Sequence, residues 1–191
     1  MNPGSRLLLV RHGQSTWNAD GRWQGQADPP LSDLGVAQAR RAAVAISALD
    51  GGIAAIWSSD LERAHHTARL IAEPSQLSVV TDARVREREA GPWTGLTRDE
   101  IEARFPGYLA DGHRPPGYEA DALLAARALN ALEHFADRLG GAAGVVVTHG
   151  GVIITIERQH GAERAPIQNL EGRWLRRTDT GFTLGDRVAL A

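Results

Sequence analysis

Short apolar runs alternate with amphipathic stretches along this chain. The runs at Leu7–Val10, Ile53–Trp57 and Gly144–Thr148 are continuous and partly β-branched, which is typical of strands buried on both faces. Between and after them, apolar positions recur at intervals of three and four residues, and this spacing predicts helices. Strands that alternate with helices predict an α/β fold, a three-layer α/β/α sandwich built on a mostly parallel, doubly wound sheet.

The helical spacing and its flanking residues predict five helices. Ser32 can cap the first helix, and the second helix follows Ser59. Thr97 and Glu100 form a capping-box signature for a short third helix that ends near Phe105–Pro106. Two further helices complete the set, one from Ala120 to about Leu139 and one over Gly151–His160.

Two segments depart from the alternating pattern. The stretch from Phe105 to Tyr118 contains three prolines and three glycines, so we expect a lid-like loop over a site at about residues 105–119. From Pro166 onward the apolar residues alternate again, which predicts one or two edge strands. Nothing in the sequence looks like a linker, and residues 1–191 are therefore expected to form a single domain.

Composition narrows the classes of function. The formal net charge is only -2, so no overall field favours binding to nucleic acid or to an acidic membrane. The chain has no cysteine, which excludes disulfides, thiolate metal sites and the cysteine chemistry used by some phosphatases. No apolar run is long enough for a signal peptide or a membrane span. We therefore expect a cytoplasmic protein with no nucleic-acid or membrane partner.

Two histidine–glycine pairs close apolar runs. Arg11-His12-Gly13 follows the first run, and His149-Gly150 follows the last. Open α/β sheets place their functional groups at the carboxyl ends of the strands. Two imidazoles at such ends, one of them beside a guanidinium, predict a site where histidine meets an anion.

Four blocks of sequence occur in order over most of the chain. They are residues 8–18 with 21–25, 30–32, 35 and 38–39, then Ser58–Ala64 with Thr67–Ala68, then Val85–Glu87 with Gly91, Trp93 and Gly95–Leu96, and finally Val146–Gly151. A single Arg-His-Gly would be a weak signal, but the four blocks together are specific. In this pattern the chain resembles the histidine phosphatase superfamily, in its phosphoglycerate-mutase-like branch.

The resemblance implies a phosphatase that hydrolyses small phosphomonoesters through a phosphohistidine. His12 is the expected nucleophile, since a neutral imidazole attacks phosphorus at physiological pH. Arg11 and Arg63 would hold the phosphoryl oxygens in bidentate fashion, and His149 would donate to the developing charge. Similarity to the family makes Glu87 the proton donor for the leaving oxygen and then the base for water.

Glu89 is the alternative to Glu87, because residues two apart in an extended chain face the same way. We favour Glu87, which follows Val85-Arg86 where family members usually have Leu-Arg-Glu; the other interpretation of this segment is a solvated run of charges. The expected phosphate pocket comprises Arg11, Ser15, Asn18, Gln24, Gly25, Arg63, His149 and Gly150. No metal and no other cofactor is implied.

Other functions remain open at this point. A cofactor-dependent phosphoglycerate mutase would return the phosphoryl group to its substrate, and a catalytically silent module would only bind a phosphorylated ligand. The compact stretch between Glu87 and His149 favours hydrolysis, because dedicated mutases of the family carry longer insertions there. The expected partner is a small phosphorylated metabolite, and the sequence does not choose between a monomer and a homodimer. The chain departs from the family pattern at Thr94 and at Pro116–Ala120, where Glu and Gly-Gly-Glu-Ser are usual.

Overall fold

A six-stranded sheet forms the centre of the computed structural model, which describes residues 4–191. In chain order the strands are β1 (Arg6–Arg11), β2 (Ala55–Ser58), β3 (Val79–Thr81), β4 (Ala143–Thr148), β5 (Glu171–Thr178) and β6 (Gly181–Ala189). They lie in the order β3-β2-β4-β1-β5-β6. The first four of these are parallel neighbours, whereas β5 and β6 form an antiparallel pair beside β1. The prediction of a mostly parallel sheet is confirmed.

The register between β1 and β4 brings the two histidine–glycine pairs together. Arg11 is the partner of Thr148 in the parallel ladder, and the N–H of His12 donates to the carbonyl of Thr148 at 3.0 Å. His12 and His149 therefore leave the same edge of the sheet on adjacent strands.

Helices connect the strands and cover both faces of the sheet. They are α1 (Thr16–Ala19), α2 (Asp33–Ser47), α3 (Glu62–Ala72), α4 (Arg98–Arg104), α5 (Asp121–Leu139) and α6 (Gly150–Gln159). The five predicted helices are all present, and both predicted caps form: Ser32 Oγ accepts from the N–H of Gly35, and Thr97 with Glu100 makes a capping box. The sequence did not predict α1 or β3, because four and three residues are too short to show a period.

The core consists of two layers, one on each face of the sheet. Leu7 and Leu9 of β1 pack in a cluster with α5 and α6, while Leu8 and Val10 face a cluster formed with α2 and α3. Successive strand residues point to opposite faces, so a continuously apolar strand needs an apolar layer on both sides. The predicted three-layer sandwich follows from this arrangement.

A smaller cluster lies beside the main core. It is built around Trp93, Ala90, Leu96 and Ile101, and Phe105, Tyr108 and Tyr118 pack against it. Residues 105–119 contain no strand and no α-helix, as predicted for a loop. A lid function for this loop stays a prediction. Among the described residues, no helix is long and apolar enough to span a bilayer.

Candidate active site

A cavity of about 510 Å³ opens where β1 and β4 end. Arg11, the last residue of β1, and Gly150, the first residue of α6, both line it. Most of the predicted catalytic and pocket residues contribute to its wall, namely Arg11, His12, Asn18, Gln24, Gly25, Arg63, Glu87 and Gly150. Ser15 and His149 do not line it but lie buried behind residues that do.

His12 is held in one tautomer by its neighbour. Its Nδ1 lies 2.6 Å from the carbonyl oxygen of Gly13, which can only accept, so we assign the ring proton to Nδ1 and the lone pair to Nε2. Nε of Arg63 donates to Nε2 at 3.3 Å. Burial lowers the pKa of His12 well below its ordinary value, and the charges of Arg63 and Arg11 lower it further. The ring is therefore neutral at physiological pH and carries a lone pair on Nε2.

His149 lies edge-on to His12, with ring centroids 5.1 Å apart. It is fully buried, and neither of its ring nitrogens has a hydrogen-bond partner within residues 4–191. Burial lowers its pKa well below the ordinary value, with Arg63 as the next cause. A buried polar atom without a partner costs about 1–3 kcal/mol. The neutral ring therefore keeps an unused N–H donor beside His12.

Arg63, near the start of α3, is fully buried and still carries its charge. Its Nη1 donates to the carbonyl of Ala27 at 2.7 Å, and its Nη2 donates to the carbonyl of Gly25 at 2.9 Å. Burial lowers the pKa of Arg63 to about 10, so the guanidinium remains protonated at neutral pH. With Nε directed at His12, one N–H remains on each terminal nitrogen.

Arg11 extends from the end of β1 into the same cavity. Its Nη1 donates to the carbonyl of Ile167 at 2.6 Å. Burial lowers the pKa of Arg11, and the charge of Glu87 acts in the opposite direction. The two guanidinium groups place two positive charges around the lone pair of His12.

The structure separates the two candidate carboxylates. Glu87 lines the cavity, where its Oε1 accepts from the N–H of Arg88 at 2.7 Å and its Oε2 from the N–H of Gly151 at 3.0 Å. Glu89 lies outside the cavity wall, and its Oε1 accepts from the N–H of Gly91 at 3.1 Å. Of the two, only Glu87 lines the cavity together with His12.

The amide side chains of the pocket are oriented by Ser15. This residue caps α1, accepts from the N–H of Asn18 at 3.1 Å and donates through Oγ to Oε1 of Gln24 at 2.8 Å. Oδ1 of Asn18 accepts from the N–H of Ser15, so both amides keep NH₂ donors for a ligand. Asn169, which sequence reasoning missed, donates to the carbonyl of His12 at 2.8 Å. No local pattern marks Asn169 as a site residue.

Sequence reasoning also missed most of the outer wall. Besides Arg11 and Arg63, five arginines line the cavity, and the acidic lining residues are Glu87 and Asp121. The five are Arg22, Arg88, Arg114, Arg158 and Arg164. Trp23 and Tyr118 supply aromatic surface. Within residues 4–191, no group of three or more His, Cys, Asp or Glu side chains could hold a metal ion. Because positively charged side chains outnumber the carboxylates in its lining, the cavity suits a ligand with more than one negative charge.

Comparison with known proteins identifies relatives over most of the chain. The family model of the histidine phosphatase superfamily (branch 1) matches residues 7–184. The phosphoglycerate mutase-like protein 4 of Arabidopsis thaliana is 39% identical over 157 residues, covering 78% of this chain and 68% of that protein. The glucosyl-3-phosphoglycerate phosphatase of Mycolicibacterium vanbaalenii is 40% identical over 163 residues, covering 79% and 72%.

A solved structure also matches this chain over nearly its whole length. A mycobacterial glucosyl-3-phosphoglycerate phosphatase in complex with VO3 superimposes with a TM-score of 0.86 at 31% identity. The match covers 96% of this chain and 99% of that one.

Proposed function

This chain belongs to the histidine phosphatase superfamily (branch 1) and is a phosphomonoesterase of the phosphoglycerate-mutase-like type, and on that premise we propose that His12 is its nucleophile and Glu87 its acid and base. The observation that carries this proposal is the state of His12. Its lone pair lies on Nε2, within the cavity wall and facing the charged Arg63. Neighbouring cations lower the barrier to transfer of an anionic phosphoryl group mainly by charge stabilisation.

In the first step, the long hydrogen bond from Nε of Arg63 to Nε2 of His12 breaks, the freed lone pair attacks phosphorus, and the ester P–O bond breaks. Its electron pair goes to the leaving oxygen, which takes a proton from the carboxyl group of Glu87. Arg11, Arg63 and His149 donate hydrogen bonds to the non-bridging oxygens. The Nδ1–H bond to Gly13 stabilises the positive charge that develops on the ring.

In the second step, water attacks the phosphohistidine. The carboxylate of Glu87 takes a proton from this water, the P–N bond breaks, and its electron pair returns to Nε2 of His12. Inorganic phosphate leaves, and the enzyme is restored with Glu87 protonated. One carboxyl group therefore serves both steps, first as acid and then as base.

We propose that the substrate is a small phosphorylated metabolite with a second anionic group, such as a carboxylate. Support comes from the outer arginines, since Arg164 makes no hydrogen bond within residues 4–191 and Arg158 pairs only with Asp121. Among the relatives, the two glucosyl-3-phosphoglycerate phosphatases are named for a substrate that is a phosphate ester of a carboxylic acid. The cavity of about 510 Å³ leaves room beyond a phosphoryl group for such a molecule.

Trapping the phosphoenzyme tests the role of His12. Wild-type protein quenched during turnover of a ³²P-labelled ester should carry an acid-labile, base-stable label on His12. His12→Ala should carry no label and lose at least about a thousand-fold in kcat while keeping its fold. His134→Asn, which changes an exposed histidine on α5, is the matched control and should behave as wild type.

The same assay separates hydrolysis from mutase activity. We expect the label to appear as inorganic phosphate. Efficient interconversion of phosphoglycerates with negligible phosphate release would refute the phosphatase assignment. Wild-type turnover by His12→Ala would refute the covalent mechanism.

A further inference from the structure

Arg127 lies on α5, outside the cavity wall, and uses all five N–H donors of its guanidinium. Nη1 donates to the carbonyls of Arg84 and Arg86 at 2.8 and 2.7 Å, and Nη2 donates to the carbonyl of Glu87 at 3.0 Å. Nε and Nη2 donate to the two carboxylate oxygens of Glu119 at 2.7 and 2.8 Å. Three of the five bonds therefore fix the backbone that carries Glu87.

Within residues 4–191, no strand pairs with this backbone to supply such bonds. Residues 86–90 form neither helix nor strand, so their carbonyls need partners from elsewhere. Thr148 Oγ1 donates to the carbonyl of Val85 at 2.8 Å. Val85 is the residue of this stretch whose carbonyl Arg127 does not bond. Four consecutive carbonyls, from Arg84 to Glu87, are thus anchored by two side chains.

Glu119, at the end of the loop, also bonds this backbone and orients Arg127, and we call the side chains of Arg127 and Glu119 the clamp. Its backbone N–H donates to the carbonyl of Glu89 at 2.9 Å, and its carboxylate accepts from the N–H of Glu89 at 3.2 Å as well as from Arg127. The side chains of Glu119 and Arg127 are 14% and 21% exposed. A charged pair with little solvent contact and a full set of hydrogen bonds is geometrically rigid.

We infer that Arg127 is a positioning residue that holds the carboxyl group of Glu87 where it can protonate the leaving oxygen. Glu119 orients Arg127 for this role. The inference rests on the proposed role of Glu87. The carboxylate of Glu87 is fixed at its far end by the backbone of Gly151, and Arg127 fixes the peptide at its near end. Loss of Arg127 releases the near end, and a displacement of about 1 Å can cost a factor of about 100 in rate.

Leaving-group dependence distinguishes mispositioning of Glu87 from general damage. An alkyl phosphate expels a strongly basic alkoxide and needs the proton from Glu87. A 2,4-dinitrophenyl phosphate expels a weakly basic phenolate and needs none. General acid catalysis contributes roughly 10²- to 10⁴-fold, so loss of the acid lowers kcat/KM for the alkyl ester alone. The parameter kcat/KM is chosen because it reports the phosphorylation step and not hydrolysis of the phosphohistidine.

The experiment compares Arg127→Met, Arg127→Lys and Glu119→Gln with Glu87→Gln on both esters. For the alkyl ester we expect kcat/KM to fall about 100-fold or more in Glu87→Gln and about 10-fold or more in Arg127→Met, with smaller losses in Arg127→Lys and Glu119→Gln. For the dinitrophenyl ester all variants should stay within about three-fold of wild type.

Arg177→Met is the matched control for removal of a buried arginine. Arg177 lies on β5, is 5% exposed and pairs with Glu133, away from the cavity wall. It should give the same ratio of activities on the two esters as wild type. Circular dichroism and a thermal melt check that each variant is folded.

Two results would overturn the inference, and they are distinguishable. If Glu87→Gln discriminates between the esters but Arg127→Met lowers both equally, Arg127 is only structural and the proposed function stands. If Glu87→Gln does not discriminate, the acid role of Glu87 fails and the inference fails with it. Should Arg127→Met not fold, Glu119→Gln and Arg127→Lys retain most of the clamp's volume, and equal losses on both esters in these variants would also refute the inference.

Discussion

The carboxylate of Glu87 accepts a hydrogen bond from the backbone N–H of Gly151, 64 positions further along the chain. Gly151 is the second residue of α6, so this bond joins the segment that carries Glu87 to the helix that follows β4. A Cβ at Gly151 would overlap the carboxylate of Glu87. The backbone conformation does not require glycine at this position, but the lack of a Cβ leaves room for the carboxylate of Glu87 where it lies.

Gly151→Ala is therefore expected to impair catalysis without unfolding the protein. Alanine favours the helix by up to about 1 kcal/mol, but its methyl group displaces the carboxylate of Glu87. We expect kcat/KM for an alkyl phosphate to fall about 10-fold or more, with the melting temperature unchanged or slightly raised. Gly150→Ala should lose less, because its new Cβ would meet only ordinary contacts at 3.6 Å. A Gly151→Ala enzyme with wild-type kcat/KM would contradict this account of the glycine.

Gly35→Ala tests the packing beneath Gly13, the neighbour of the proposed nucleophile His12. A Cβ at Gly35, in the first turn of α2, would overlap the backbone oxygen of Gln14, and a Cβ at Gly13 would lie 2.6 Å from the carbonyl of Gly35. Overpacking of this kind costs about 1–3 kcal/mol. Urea denaturation should show that loss for Gly35→Ala, whereas Val44→Ala on the exposed face of the same helix should stay within about 0.5 kcal/mol. Equal stability of the two variants would mean that the contact relaxes freely.

The two buried histidines predict a loss of stability in mild acid. Burial and neighbouring arginines hold the pKa values of His12 and His149 well below 6.5 in the folded chain, while the unfolded chain titrates near that value. As pH falls below about 6.5, the unfolded chain binds protons that the folded chain does not bind, so the free energy of unfolding decreases. The slope should approach about 1 kcal/mol per pH unit for each histidine.

Urea denaturation between about pH 7 and about pH 5.5 measures this slope. His149→Asn should have a shallower slope than wild type, because it removes one of the two protons. The carboxylates with lowered pKa values, such as Asp60 and Asp82, lose their contribution only at lower pH. A wild-type stability that is flat over this interval would show that the histidines are not held neutral.

Arg164→Gln tests the proposed second anionic group of the substrate. The exposed guanidinium of Arg164 should contribute no more than about 1 kcal/mol, so KM for a phosphomonoester with a carboxylate should rise roughly two- to five-fold. KM for a phosphomonoester of similar size that lacks the carboxylate should not change. Arg138→Gln, an exposed arginine at the end of α5, is the control. Equal effects on KM for the esters with and without the carboxylate would reject a role for Arg164 in recognising the second anion.

The elements that the sequence predicted correctly are those with a full hydrophobic period. β1 and β4 were predicted from continuous apolar runs, and α2 and α5 from their apolar faces, since burial of a face is encoded in the spacing of neighbouring residues. The short elements α1 and β3 were missed for the same reason, because neither is long enough to repeat a pattern.

The sequence by itself determined that two histidines close two buried strands, and parallel pairing makes such strand ends neighbours. Only the tertiary structure decided that the lone pair of His12 lies on Nε2 beside Arg63, and that Glu87 lines the cavity while Glu89 does not. It also decided that Arg127 of α5 bonds the backbone that carries Glu87. The physical reason is that the spacing of neighbouring apolar residues predicts which face of an element is buried. Hydrogen-bond partners for irregular backbone, in contrast, come from segments dozens of residues away. Which long arginine side chains meet in one cavity depends on how those segments pack, and no local spacing contains that information.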